Sequence, residues 1–220
     1  MKMRQMLNKV PEVTLGFWAV KITSTTVGET CADYLAVNIG WGTAITGGVM
    51  ASFLLVALVI QLTFRRYIPS IYWLTVVLIS IVGTQITDLL TDKLGVSLFL
   101  STAVFSAALA AIFAFWYWTE KTLSVHTIVT RRRELFYWSA ILCTFALGTA
   151  AGDLATEALG WGFRIGVAIF GIAIALTGAA YRLGTVKTSI IFLTFIVAIV
   201  GFLSISQSKT LKFTKTNGSA

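Results

Sequence analysis

Long apolar runs separated by short polar stretches make up most of the chain. Several of these runs reach the roughly 20 residues that an α-helix needs to cross the hydrocarbon core of a bilayer. The alternating pattern of a membrane β-barrel is absent. The predicted spans are 13–37, 43–64, 70–91, 96–118, 135–158, 163–181 and 189–206. The pattern therefore predicts an all-α integral membrane protein with seven transmembrane helices.

A four-point pattern, here called the repeat signature, occurs three times. A tryptophan is followed by a glycine after ten residues, an aspartate after five more and a second glycine after seven more. The copies are Trp18, Gly28, Asp33 and Gly40; Trp73, Gly83, Asp88 and Gly95; and Trp138, Gly148, Asp153 and Gly160. Each copy lies on an odd-numbered span. The chain is thus predicted to contain three complete two-helix repeats, at about 13–64, 70–118 and 135–181, and a degenerate half repeat at 189–206.

The number of spans in each repeat predicts how the repeats are related. Two spans return the chain to the side on which it started, so successive repeats enter the membrane in the same direction. This predicts pseudo-symmetry about an axis along the membrane normal, unlike the inverted repeats of many transporters. We expect one transmembrane bundle over residues 1–207 and a polar C-terminal tail over 208–220.

Composition and charge agree with this class and orient the chain. Hydrophobic residues make up 57% of the sequence and charged residues 12%, which excludes an ordinary soluble domain. The basic residues concentrate in the loops on the side of the N-terminus, which predicts a cytoplasmic N-terminus. With seven spans, three basic residues of the tail would lie outside, against the rule that basic segments lie inside. The last apolar segment therefore either spans the membrane fully despite these charges or is re-entrant. The net charge of +8 needs no nucleic-acid partner, although Arg131–Arg133 could hold lipid headgroups.

The polar residues of the signature helices fall on one face. At about 100° per residue, the tryptophan, the first glycine and the aspartate of each copy share that face with further polar residues. These are Lys21, Thr25 and Glu29 on the first span, Thr84 on the third and Thr149 on the fifth. A stripe of this kind is too polar to face lipid, so it should point into the bundle or line a wet cavity.

The tryptophans and glycines of the signature have mainly structural interpretations. Each tryptophan is predicted to lie at the cytoplasmic interface, which suits its amphipathic ring. Gly28, Gly83 and Gly148 are expected to let neighbouring helices approach closely, the alternative being that they free backbone carbonyls to coordinate an ion. The second glycine of each copy is expected to end its helix.

Carboxylates are the strongest candidates for chemistry. Six of the nine acids lie in the outer halves or at the ends of the signature helices: Glu29, Asp33, Asp88, Asp92, Asp153 and Glu157. If those helices surround one axis, the three signature aspartates converge. Clustered carboxylates suit a proton relay or a hard-cation site with added threonine oxygens. Glu29, Asp33, Asp88 and Asp153 define a candidate metal site. The alternative is that they sit in headgroup water and pair with Lys93 or Arg164.

Two residues of the first copy stand out. Lys21 lies only a few residues into its span, so its ammonium could reach the cytoplasmic interface. Glu29 lies deeper, and the equivalent positions of the other copies hold Thr84 and Thr149. We therefore assign Glu29 the role of proton acceptor or principal cation ligand.

Cysteine and histidine point to no further chemistry. Cys31 and Cys143 have neither the number nor the spacing of a disulfide framework or a zinc site, and we interpret both as small buried side chains. His126 is the sole histidine, and we expect it to serve the cytoplasmic loop. The sequence leaves the cofactor unknown, with a bound hard cation as the one candidate.

Three stretches resemble a known family. They are FWAVKITSTTVGETCADYL, YWLTVVLISIVGTQITDLL and TLSVHTIVTRRRELFYWSAILCTFALGTAAGDL. They are similar to bacterial membrane proteins built from tandem two-span repeats, each with a characteristic tryptophan, catalogued as a repeat of unknown function (domain of unknown function 347). The resemblance covers about residues 9–160 and implies a repeat bundle in the bacterial inner membrane, with no secure activity. The chain departs from the usual four repeats at its C-terminal end.

Two classes of function follow. The first is a transporter or channel for a small cation, either a metal ion or a proton-coupled cationic solute, with the carboxylates along the pathway. The second is a membrane-embedded enzyme or lipid-binding scaffold whose carboxylates face an amphipathic ligand. No histidine lies beside the acids, which argues mildly against an enzyme. The expected partners are the lipid bilayer and a small cation, and a homo-oligomer is compatible with the sequence.

Overall fold

The structure is a computed structural model that describes residues 9–11, 14–124, 128–158 and 162–182, and over these ranges it is helical with no β-strand. The helices are α1 (Leu15–Asp33), α2 (Gly42–Thr63), α3 (Pro69–Asp88), α4 (Leu98–Glu120), α5 (Arg131–Asp153) and α6 (Gly162–Arg182). Five-residue π-helical segments follow three of them: π1 (Tyr34–Asn38) after α1, π2 (Leu89–Lys93) after α3 and π3 (Leu154–Ala158) after α5. The all-α prediction is confirmed for the described residues, whereas the predicted span 189–206 and the tail lie outside them.

Local sequence explains where the helices begin and end. The hydroxyls of Thr14, Ser97 and Thr130 accept hydrogen bonds from backbone N–H groups of the first turns of α1, α4 and α5. Gly40 and Gly95 follow π1 and π2 with φ values of +81° and +64°, a left-handed conformation that glycine adopts at little cost. The expectation of helix-ending glycines is confirmed at both positions. Gly160 lies outside the described residues.

The helices form an inner row and an outer layer. The signature helices α1, α3 and α5 form the row, with α3 in the middle and packed extensively against both neighbours. The outer helices α2 and α4 pack against α3 and α5, respectively. The most apolar window of α3 is 61% buried and that of α5 72%, against 17% for α2 and 6% for α4. The core therefore lies between the signature helices.

The pairing of the helices differs from the expected hairpins. The two helices of the first repeat, α1 and α2, barely contact each other, because α2 packs against α3 of the next repeat. The buried side chains of α2, which are Thr46, Leu54, Ala57 and Gln61, lie along one side of that helix. Each of α2 and α4 thus packs against the first helix of the following repeat and not against the first helix of its own repeat.

Within the described ranges, four helical stretches are long and apolar enough to cross a membrane: Gly42–Thr63, Pro69–Lys93, Leu98–Glu120 and Arg131–Thr156. The predicted spans 13–37 and 163–181 are not among them. Among its 19 residues, α1 carries three charged and five hydroxyl side chains, and in α6 the apolar stretch is the shorter Arg164–Leu176. Large hydrophobic side chains such as Leu55 and Val59 on α2 and Val104 on α4 are more than half exposed. Side chains of this kind contact the lipid bilayer.

Candidate functional site

Aromatic side chains connect the signature helices at the end of the bundle where α1, α3 and α5 begin, here called the tryptophan end. The Phe17 ring lies 5.5 Å from the Trp73 ring, and the Tyr72 ring lies 5.3 Å from the Trp138 ring. Both contacts join the residue before one signature tryptophan to the tryptophan of the next copy. The same relation between neighbouring repeats therefore occurs twice.

This aromatic cluster lies deeper in the protein than the sequence predicted. Trp138 is buried, Tyr72 and Tyr137 are completely enclosed, and the two tyrosine hydroxyls share a hydrogen bond of 2.6 Å. Trp18 and Trp73 are half-buried. The rings pack against one another between helices, and tilted and edge-to-face aromatic pairs of this kind stabilise the contact beyond the apolar area they bury.

Signature glycines bring the inner helices together. A β-carbon placed on Gly28 would lie 1.7 Å from Ser80 Oγ and 3.1 Å from the Val77 carbonyl oxygen. A β-carbon on Gly83 would lie 2.6 Å from Phe145 Cβ. Both distances agree with the close-packing interpretation. The α-helical backbone also continues without interruption past Gly28 and Gly83. The third signature glycine of this kind, Gly148 on α5, is buried.

The predicted polar face is turned inward. Thr84 Oγ1 on α3 and Thr149 Oγ1 on α5, at equivalent positions of the signature, lie 3.5 Å apart. One turn further along, the Thr87 hydroxyl donates to the Ala146 carbonyl oxygen of α5 at 3.0 Å. Thr25 of α1 is also buried, and its hydroxyl donates to the Lys21 carbonyl oxygen. The stripe therefore lies at the contacts between signature helices.

Glu29 is the most unusual residue of this face. It is only 3% exposed, and neither carboxylate oxygen has a hydrogen-bond partner among the residues that the structure describes. Asp33, Asp88 and Asp153 all lie close enough to interact electrostatically with its carboxylate. The signature aspartates of three helices thus act electrostatically on a single glutamate of the first copy.

The Lys21 side chain points into the bundle, in contrast to the expectation that its ammonium could reach the cytoplasmic interface. Its side chain is 2% exposed and its ammonium lies 4.9 Å from the centre of the Phe145 ring, across the bundle on α5. Within the described ranges the ammonium has no hydrogen-bond partner. The electron-rich face of an aromatic ring attracts a cation more strongly where water is excluded, which accounts for this inward orientation.

Each signature aspartate marks the point where the backbone changes from α to π geometry. Asp33, Asp88 and Asp153 are the last residues of α1, α3 and α5, and π1, π2 and π3 begin immediately after them. All three aspartates are half-buried. Single π-helical turns within α-helices are often found at functional sites, because the wider turn shifts the backbone hydrogen bonds. No feature of the sequence predicted these segments.

The acids do not form a ready-made metal centre. In the described part of the chain, no three histidine, cysteine, aspartate or glutamate side chains are placed to hold a metal ion together. Asp92 is exposed and accepts a hydrogen bond from Thr91 at 3.4 Å. The tentative set of Glu29, Asp33, Asp88 and Asp153 is therefore a group of nearby charges and not a coordination sphere.

A second buried polar cluster, at the tryptophan end, was not predicted from the sequence. Lys9 Nζ lies 2.5 Å from Glu134 Oε2, and the Gln61 side-chain amide donates to Glu134 Oε1 at 3.0 Å. Lys9 and Glu134 are 3% and 1% exposed. The signal that could have revealed this cluster is Gln61, the only side-chain amide in the otherwise apolar α2.

The cysteine prediction is right for one residue and wrong for the other. Cys143 is buried and its thiol lies 3.3 Å from the Phe105 carbonyl oxygen of α4, whereas Cys31 is exposed on α1. His126 lies outside the described residues.

The apolar helices and the repeated inner row define this chain as a membrane protein built from repeated pairs of helices. A family model described as Repeat of Unknown Function (DUF347) matches residues 16–67, 71–122 and 136–183. These segments make up well over half of the chain, which therefore belongs to this family. The match confirms the three predicted repeats and the family resemblance. No curated protein and no solved structure matches the chain.

Proposed function

We propose that this protein is a transporter or channel for a small cation and that Glu29 is its principal cation-binding group. The observation that carries this proposal is the buried Glu29 carboxylate, which accepts no hydrogen bond from the described residues. A buried carboxylate without donors is costly, and a bound cation or proton offsets that cost. Ionisable groups at such depth in membrane proteins usually line ion or proton pathways.

The signature aspartates supply the approach to Glu29. Asp33, Asp88 and Asp153 are half-buried at the ends of α1, α3 and α5, and their charges act on the Glu29 carboxylate. Their combined negative potential would attract a cation toward the bundle. Because these acids do not form a coordination sphere, we assign all three to the entrance of the path, with Thr84 and Thr149 as neutral oxygen ligands. Hard cations favour oxygen ligands of this kind.

Lys21 sets the limit of the path toward the tryptophan end. It lies eight residues before Glu29 on the same face of α1, which corresponds to about 12 Å along the helix. A cation that moves beyond Glu29 would meet the ammonium that rests on Phe145. Like charges repel strongly where water is scarce, so passage requires Lys21 to move away or to exchange its position with the cation.

The proposal includes the predicted setting in the membrane. The protein lies in the bacterial inner membrane with its N-terminus in the cytoplasm, and the aspartates are on the outer side. The repeats are related by an axis along the membrane normal, and the predicted seventh span, 189–206, lies outside the described residues. The recurring aromatic and glycine contacts between successive signature helices support this arrangement.

Cation flux into vesicles that contain the purified protein tests the proposal. Protons, Na⁺, K⁺, Mg²⁺ and Mn²⁺ are supplied separately, and the parent protein is compared with Glu29→Gln. The control is Asp92→Asn, which removes an exposed acid near the same end of the bundle. We expect flux of at least one cation in the parent and in the control, and loss of most of it in Glu29→Gln. A folded Glu29→Gln protein that matches the parent for every cation would overturn the proposal, as would a parent that moves none.

A further inference from the structure

A pocket of about 520 Å³ opens at the tryptophan end, far along the bundle from Glu29. It is lined by Lys9, Leu62, Arg65, Val129 and Arg131, and none of these lining residues is acidic. They come from three separate parts of the described chain: the N-terminal segment, the end of α2 and the residues that lead into α5. We call this surface the basic pocket.

The buried ion pair between Lys9 and Glu134 holds the walls of the basic pocket together. The Lys9 backbone N–H donates to the Ile128 carbonyl oxygen at 3.1 Å, and its ammonium binds Glu134 in the first turn of α5. Gln61, one residue before Leu62, donates to the same carboxylate. The N-terminal segment, α2 and α5 therefore meet at one buried carboxylate, so the position of the pocket residues is fixed by the fold.

The charge of the basic pocket comes mainly from two arginines. The Lys9 charge is balanced by Glu134, and Arg133 is engaged by Glu120 at 2.8 Å. For Arg65 and Arg131, the described residues provide no acidic partner within salt-bridge distance, and both side chains are exposed. A guanidinium binds phosphate oxygens through paired hydrogen bonds, and two of them in one concave site match the charge of a phosphate group.

The surroundings of the basic pocket fit a ligand at the membrane boundary. The apolar α2 ends at Thr63, and Phe64, 41% exposed, stands between it and Arg65. Leu62 and Val129 add apolar surface beside the arginines. Basic pockets at the cytoplasmic ends of transmembrane helices commonly hold anionic lipid headgroups.

We propose that the basic pocket binds a phosphate group through Arg65 and Arg131, with Leu62 and Val129 contacting the part of the ligand that continues toward the membrane. The phosphate belongs either to an anionic lipid or to a free phosphate ion. The site is separate from the cation path and requires no transport.

Binding to the purified full-length protein in nonionic detergent tests this proposal. One arm titrates phosphatidylglycerol, with phosphatidylcholine as the comparison. The other arm titrates inorganic phosphate against chloride at the same ionic strength. The readout in both arms is the shift in unfolding temperature and the affinity derived from it. The variants are Arg65→Gln, Arg131→Gln and the double variant, and the matched control is Arg132→Gln, which removes the same charge from an exposed neighbour outside the pocket lining.

We expect the parent to bind at least one of the two phosphate compounds in preference to its comparison. Each pocket variant should weaken this binding by about tenfold, as expected for loss of a charge-assisted hydrogen-bonded contact, whereas the control should change it less than about twofold. Binding of phosphatidylglycerol alone identifies a lipid ligand, and binding of inorganic phosphate identifies a free one. The proposal is overturned if neither binds, or if Arg132→Gln weakens binding as much as Arg131→Gln.

Discussion

Replacing Gly83 by alanine tests how tightly the inner helices are packed. The new methyl carbon would lie 2.6 Å from Phe145 Cβ and 3.3 Å from the Ala146 nitrogen. Carbon atoms in contact prefer a separation of about 3.5–4.0 Å, so α3 and α5 must move apart by about 1 Å. Side-chain rotation cannot relieve this contact, because Phe145 Cβ is fixed to its backbone.

The size of the effect follows from a comparison with Gly48→Ala. Gly48 lies within α2, and a β-carbon there would have no neighbour within 4 Å. Both substitutions add one methyl group to a helix interior, and both gain the helix preference of alanine over glycine, about 1 kcal/mol. Their difference in stability therefore isolates the cost of overpacking, which we expect to be about 1–3 kcal/mol.

Reversible unfolding of the purified variants in mixed detergent micelles measures this difference. We expect Gly48→Ala to be as stable as the parent or more stable, and Gly83→Ala to be clearly less stable than Gly48→Ala. Equal stability of the two alanine variants would show that α3 and α5 do not approach closely at Gly83, and the reasoning about the signature glycines would fail.

Three further predictions concern the tryptophan end and the orientation of the chain. Glu134→Gln should lower the free energy of unfolding by about 3–5 kcal/mol, because it leaves the buried Lys9 ammonium without a carboxylate. Glu120→Gln should lower it by at most about 1 kcal/mol, because the pair of Glu120 with Arg133 is partly exposed. Equal losses in the two unfolding titrations would contradict this prediction. Tyr137→Phe should cost about 1–2 kcal/mol by removing the hydrogen bond to Tyr72, and an unchanged unfolding midpoint would argue against a buried hydroxyl pair. In intact cells, and in a chain whose Cys31 and Cys143 are replaced by serine, a membrane-impermeant thiol reagent should label Lys93→Cys and leave Lys121→Cys unlabelled. The opposite labelling would reverse the proposed orientation.

The helices and their inward face could be predicted from the sequence because both depend on periodicity. The repeat signature places Gly28, Gly83 and the three aspartates on one side of each helix, and a polar stripe has to avoid lipid. The structure turns that side toward the neighbouring signature helix, where the hydroxyls of Thr84 and Thr149 meet.

Other features could not be predicted because they depend on which helices become neighbours. The inward orientation of Lys21 requires the Phe145 ring on α5, more than a hundred residues away in sequence. The pairing of Lys9 with Glu134 likewise joins distant segments of the chain. The π-helical segments depend on a shift of backbone hydrogen bonds. The large apolar residues that follow the aspartates, Tyr34, Leu89 and Leu154, do not by themselves specify that shift.

Cation binding to the purified protein tests the central claim most directly. Calorimetric titration of the cation that the parent transports should show binding to the parent and to Asp92→Asn. For Glu29→Gln the affinity should fall by about tenfold or more, since each tenfold change corresponds to about 1.4 kcal/mol and a charged contact is worth at least that much. Equal affinity of the parent and a folded Glu29→Gln variant would contradict the assignment of Glu29 as the cation-binding group.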